Sequence, residues 1–132
     1  MKRYVLDTNI ISLLIAPDPV MRDTMKQRVT DDDQILGCPM VWHEVLRGLR
    51  AKDARRKLGS FQVVFATFEW EDYTRRDWDL AATLWASRRM SGRPIQDGDL
   101  LIAAFTLNRN AILVTDNTKD FSGLNLNLEN WR

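Results

Sequence analysis

Two short apolar runs, each stopped by an aspartate, lie near opposite ends of the chain and constrain its fold most. Arg3-Tyr4-Val5-Leu6 halts at Asp7, and Ala111-Ile112-Leu113-Val114-Thr115 halts at Asp116. Apolar runs without alternation read as strands buried on both faces, and such strands belong to parallel sheets covered by helices. Gln34 to Pro39 reads as a further short strand, and Leu124 to Leu128 alternates apolar with polar like an edge strand. Helical segments separate them. Ile10 to Ile15 follows Thr8 or Asn9 as a cap and is broken by Pro17 and Pro19. Val20 to Val29 is helical in pattern, with a turn at Asp31-Asp32-Asp33. From Met40 to Ala51, the residues Val41, Trp42, Val45, Leu46 and Leu49 recur at helical spacing, and Lys52 to Leu58 extends that helix. Tyr73 to Met90 carries Trp78, Ala81, Ala82 and Trp85 on one stripe and ends at Ser91-Gly92-Arg93-Pro94; Asp99 to Leu107 is another helix. The β-branched and aromatic stretch Phe61 to Trp70 fits either state. Strands alternating with helices predict an α/β fold with a mainly parallel central sheet, here as one domain over residues 1–132.

Composition narrows the function. The single cysteine, Cys38, excludes an internal disulfide and suits a reducing compartment. No apolar run approaches the ~20 residues that span a bilayer. The opening MKRYVLDTN lacks the apolar stretch of a signal peptide. These readings predict a cytoplasmic protein without a membrane partner. The net charge is only +1, but its distribution is uneven. Arg47, Arg50, Lys52, Arg55, Arg56 and Lys57 are opposed only by Asp53, and Arg88, Arg89 and Arg93 form a second basic group. Cations beside an acidic pocket suit a phosphate backbone whose scissile bond must approach a metal ion, although a solvated helix face explains the charge alone.

The acidic residues carry the chemistry. Asp7 stands at a strand's carboxyl end, where parallel α/β sheets bind ligands, and is equally able to cap the next helix. Glu44 lies in mid-helix beside the apolar stripe, with Gly48 one turn on, where a missing side chain leaves space near the carboxylate. Asp97 and Asp99 flank Gly98 at a helix start, a position that also favours carboxylates for capping. Asp116 and Asn117 follow the last buried strand, where turn chemistry is the competing role. Singly, each has an ordinary explanation. Jointly, they converge if the strands are neighbours. Two carboxylates about 5 Å apart repel by about 3 kcal/mol at an effective dielectric near 20, so such a cluster takes up protons or holds a cation. Oxygen ligands without His or Cys select Mg²⁺ or Mn²⁺ over Zn²⁺. The lone His43 and Cys38 lack the companions of a nucleophilic triad.

Val5-Leu6-Asp7-Thr8-Asn9-Ile10-Ile11-Ser12 resembles the opening signature of PIN-domain proteins, specifically the VapC toxins of toxin–antitoxin pairs. Glu44-Val45-Leu46-Arg47-Gly48 resembles that family's Glu-x-x-x-Gly helix, and Asp99-Leu100-Leu101-Ile102-Ala103-Ala104 its third motif. Leu113-Val114-Thr115-Asp116-Asn117, with Asp120-Phe121, resembles its closing strand and turn. The resemblance implies a three-layer α/β/α fold and Mg²⁺- or Mn²⁺-dependent endoribonuclease activity, directed in relatives at tRNA or ribosomal RNA loops. It also implies a homodimer and a cognate VapB-type antitoxin that blocks the site. By that match Asp7, Glu44 and Asp99 hold metal. The family's fourth acidic position falls on Asn117, able to bind metal through water or to position RNA, with the catalytic candidate Asp116 offset by one place; Asp97, an additional carboxylate near the third motif, is a further candidate for the metal.

On this reading Asn9 and Thr115 orient carboxylates or substrate, and Arg47 with the other basic residues holds the RNA. A rival reading is an RNA-binding module that kept the fold and lost the chemistry, supported only by the Asn at 117. A phosphatase of the Asp-x-Asp type is excluded because Asn9 stands where the second aspartate belongs. A dinucleotide-binding fold is excluded because no glycine-rich loop follows the first strand.

Overall fold

The computed structural model describes residues 1–132 and builds them around one five-stranded, all-parallel sheet. Its strands are β1 (Arg3–Leu6), β2 (Gln34–Gly37), β3 (Glu69–Trp70), β4 (Ile112–Val114) and β5 (Asn127–Glu129), in the order β3-β2-β1-β4-β5. The helices are α1 (Thr8–Leu14), α2 (Val20–Arg28), α3 (Pro39–Ala51), α4 (Arg55–Ala66), α5 (Arg75–Met90) and α6 (Asp97–Asn108). The chain steps outward from β1 to β2 and β3, then returns across the sheet to β4. Right-handed crossovers therefore put α1–α4 on one face and α5–α6 on the other, giving three layers.

The apolar runs hold the middle of the sheet. β1 pairs with β2 on one side and with β4 on the other, with Val5 opposite Leu36 and Leu113. Val5, Leu113 and Val114 are fully buried, as unalternating strands require. On α6, Ile102, Ala103, Ala104 and Phe105 are all fully buried. No helix is long and apolar enough to cross a membrane.

Several predicted boundaries move. The cap of α1 is Asp7 itself, whose side chain accepts from the Thr8 amide, rather than Thr8 or Asn9. The helix through Ala51 does not continue into Lys52–Leu58: Asp53 takes a left-handed φ of 48°, and α4 starts afresh at Arg55. The undecided Phe61–Trp70 stretch is mostly helix, because Phe61 and Phe65 pack on Trp42 of α3, and only Glu69–Trp70 pairs as a strand. β5 begins at Asn127, later than the alternation predicts. Pro39 is the first residue of α3, a position where its missing N–H costs nothing.

A buried ion pair ties the α5–α6 layer together. Arg109 is 7% exposed and grips both oxygens of fully buried Asp77 at 3.0 Å, with Glu71 at 2.8 Å. Burial alone would raise the Asp77 pKa, but hydrogen bonds from Arg109, Asn108 and the Thr74 amide hold it down at about 2. Removing one member of such a pair costs about 3–5 kcal/mol, because the other charge is left buried and unpaired.

Candidate active site

The return of the chain from β3 to β4 makes β1 and β4 neighbours, so the sheet changes winding direction there. Ligands of parallel α/β proteins bind at the carboxyl ends of strands beside such a switch point. Asp7 and Thr115 both stand at that edge, and the Asp7 amide bonds the Val114 carbonyl at 2.9 Å.

Asp7 caps a helix and also belongs to the site. Its Oδ1 accepts from the Thr8 amide at 2.8 Å, and its Oδ2 accepts from Thr115 Oγ1 at 2.9 Å. Thr115 is fully buried and its hydroxyl also accepts from the Asn117 amide, which fixes the rotor. Thr8 carries the network across to α3, where its Oγ1 donates to Glu44 Oε1 at 2.9 Å. The other oxygen of Glu44 lies 3.7 Å from Arg47, one helical turn on. Arg47 is otherwise open to solvent and contacts the exposed ring of His43.

The glycine that makes room for Glu44 is Gly98, not Gly48. A Cβ on Gly48 would meet nothing within 4 Å, whereas one on Gly98 would stand 2.6 Å from Glu44 Oε2. The tight approach brings the start of α6, and with it Asp99, against α3. α6 begins two residues earlier than the sequence predicts, so both Asp97 and Asp99 lie in its first turn.

The electrostatics show which carboxylates feel one another. Burial raises the Asp99 pKa to about 6, assisted by the charges of Asp7, Glu44 and Asp120. Burial likewise raises that of Asp7, against the lowering by Thr115 and Thr8, with Glu44 and Asp116 adding repulsion. Neither Asp7 nor Asp99 has an ion-pair partner. Thr8 links Asp7 to Glu44, Gly98 sets the start of α6 against Glu44, and Asp99 lines one cavity with Asp120.

The remaining predicted residues lie at the rim or away from it. Asp116 accepts from Asn9 Nδ2 at 3.4 Å and pairs with Arg132 at 3.2 Å. Asn117 donates its side-chain Nδ2 to Asp120 Oδ2. Asp97 is exposed and borders a groove lined by Trp78 and Trp85 on the far side of the helix start. Asp120 is the residue that sequence reasoning passed over as a site member. It rides on a 3₁₀ turn, Thr118–Phe121, that folds back toward Asp99 because Phe121 is anchored in the core. The signal for it was the apolar Phe121 directly behind an acid.

The donor set suits a hard divalent cation: all oxygen, partly buried, and rich in carboxylate charge that no cation of the protein neutralises at Asp7 or Asp99. As the side chains lie, no group of three or more Asp, Glu, His or Cys is placed to hold a metal ion between them.

Fold and site together define a parallel α/β protein with an acidic pocket of hard oxygen donors at its switch point. Residues 4–125 match the family described as PIN domain, and the chain belongs to that family. It is 28% identical over 130 residues to Ribonuclease VapC2 of Rickettsia felis, and 28% identical over 132 residues to Ribonuclease VapC1 of Haemophilus influenzae strain R2866. Each match covers 97% of both proteins. Among solved structures, VapBC2 from Rickettsia felis bound to a promoter DNA fragment aligns with a TM-score of 0.88 at 26% identity, over 98% of this chain and 99% of that one. DNA-bound VapBC from Salmonella typhimurium shares the fold, with a TM-score of 0.84 at 21% identity over the whole of both chains.

Proposed function

We propose that the protein is a Mg²⁺- or Mn²⁺-dependent endoribonuclease, the toxin of a VapBC-type pair, acting in the cytoplasm. The observation that carries this reading is the link from Asp7 through Thr8 to Glu44, with the start of the helix that bears Asp99 packed against Glu44, in a chain similar to two named ribonucleases.

Asp7, Glu44 and Asp99 would hold the ion, with Asp120 the nearest further carboxylate. When bound, a divalent cation lowers the pKa of water and offsets charge developing on a phosphate. The chain's own groups set the geometry. Thr115 and the Thr8 amide fix the two oxygens of Asp7, and Thr8 Oγ1 fixes Glu44. Arg47 stands next to Glu44 with its guanidinium in solvent, placed to meet a phosphate of the RNA. With no activated Ser, Cys or His present, water is the nucleophile, and the products carry 5′-phosphate and 3′-hydroxyl ends. Structured RNAs such as tRNA and ribosomal RNA are the substrate class, and cleavage there would stop translation.

Two partners complete the reading. A VapB-type antitoxin would cover the acidic pocket. A second copy of the chain would cover the α5–α6 groove of about 360 Å³, where Trp78 and Trp85 remain 54% and 44% exposed.

The test is incubation of the purified protein with total tRNA and ribosomal RNA, with and without Mg²⁺, followed by sequencing of the ends. Cleavage by the native chain and none by Asp7→Asn or Asp99→Asn is expected. RNA lengths unchanged by the native chain, with RNA still bound, would favour a binding module and overturn the nuclease reading.

A further inference from the structure

Outside the carboxylate cluster, one buried cation stands without an acidic partner. Arg88, in the last turn of α5, is 8% exposed and joins no ion pair. Its guanidinium is spent on main-chain carbonyls. Nε donates to Arg93 at 2.7 Å, Nη1 to Ser122 at 2.9 Å and Nη2 to Asp120 at 3.3 Å. Those carbonyls belong to two loops distant in sequence: the 91–96 connection into α6, and the turn that carries Asp120. Arg93 adds a second tie, donating to Ser122 Oγ at 2.9 Å. Phe121, between the two gripped carbonyls of the turn, is 1% exposed. The turn is therefore pinned by its side chain in the core and by its backbone on Arg88.

Stability is a poor reason to bury this charge, since apolar residues of similar volume often serve as well or better. The last turn of a helix does favour a cation, but an exposed arginine or lysine would meet that need. What the guanidinium uniquely offers is a rigid fork of donors that reaches three acceptors at once. Its location gives the fork a purpose. Arg88 lines one polar cavity of about 270 Å³ together with Gln96, Asp99 and Asp120.

We propose that Arg88 is a positioning residue, which sets Asp120 beside Asp99 by clamping the 118–122 turn to the loop that opens α6. The assignment rests on the reading of Asp99 as part of a cleavage site and extends it to a residue that acts through the placement of Asp120.

The experiment compares Arg88→Met, Arg88→Lys, Asp120→Asn and the double variant Arg88→Met with Asp120→Asn. The measurements are kcat and KM on one RNA with Mg²⁺, and amide hydrogen exchange over residues 117–123. Arg88→Met is expected to speed exchange in the turn and to lower kcat about tenfold with KM within about twofold, while the double variant loses no more than Asp120→Asn alone. Arg88→Lys, which keeps the charge but not the fork, should recover part of the loss. Additive losses in the double variant, or full kcat in Asp120→Asn, would overturn the assignment. Should Arg88→Met fail to fold, Arg88→Lys carries the same comparison, and unchanged kcat despite faster exchange overturns the proposal. Native protein that leaves RNA intact removes the site reading and this role with it. Native cleavage that is lost in Asp7→Asn but undiminished in Arg88→Met removes the role of Arg88 alone.

Discussion

Gly98 and Glu44 approach so closely that a methyl group on the glycine would stand 2.6 Å from the glutamate's Oε2. The obstacle is the far end of a flexible side chain, so Gly98→Ala should fold, with Glu44 swung aside. Alanine in a helix is worth up to about 1 kcal/mol over glycine, so thermal stability should hold or rise. Displacing a catalytic group by about 1 Å can cost about 100-fold, and cleavage should fall by about 10- to 100-fold. Thermal melts paired with RNA cleavage rates check this, and full activity in a stable Gly98→Ala protein would contradict it.

Thr115→Val keeps the shape of a fully buried residue but removes the hydroxyl that donates to Asp7 and accepts from the Asn117 amide. A hydrogen bond to a charged group is worth about 1.5–3 kcal/mol, and the loss should appear as a lower denaturant midpoint. Because that bond lowers the Asp7 pKa, its removal should shift the acid limb of the pH–rate profile upward. Thr115→Ser should retain the native profile.

Asp99 links function to pH-dependent stability. Its carboxyl is raised in the folded state to about 6 from an ordinary 3.8, so the folded protein binds the extra proton between those values. Stability should therefore rise on acidification from pH 7 toward pH 5, and the penalty of the charged form should be fully present above pH 6. The Asp77–Arg109 pair works in the opposite direction, but with Asp77 at about 2 its contribution fades only below the ordinary carboxylate range. Asp99→Asn should abolish cleavage while raising the melting temperature at pH 7.5 and flattening its pH dependence between 5 and 7. Mg²⁺ should stabilise the native protein more than this variant. Equal melting curves at all these pH values would refute the assignment.

Trp78 and Trp85 present large apolar surfaces to solvent on the same face of α5. Buried tryptophans at interface centres commonly contribute about 2 kcal/mol or more, so Trp78→Asp should turn the proposed dimer into monomers at micromolar concentration. Sedimentation analysis reads this directly. A native protein that sediments as a monomer would leave the groove for another partner.

Much of this architecture was legible in the chain. β1 and β4 announced themselves because strands buried on both faces have no room for polar residues, and an acid directly after such a run must sit at its end. The helix of Phe61 and Phe65 was not legible, since β-branched and aromatic residues favour a strand until Trp42 supplies a surface to pack on. The break at Asp53 was hidden because its left-handed turn uses neither glycine nor proline. Within the candidate site, Asp7, Glu44 and Asp99 stood out as a set through their joint pattern and the motifs that resemble the family. Asp120 and Gly98 did not, because their roles depend on how a turn folds back and how closely two helices meet.

The pairing of β1 with β4 has a consequence for assembly. Asp7 and the hydroxyl that orients it lie 108 residues apart in the chain. A chain that stopped short of Thr115 would keep the Thr8 amide on one oxygen of Asp7 but lack the donor to the other. The proposed site is therefore a property of the assembled sheet rather than of any one segment as it is made.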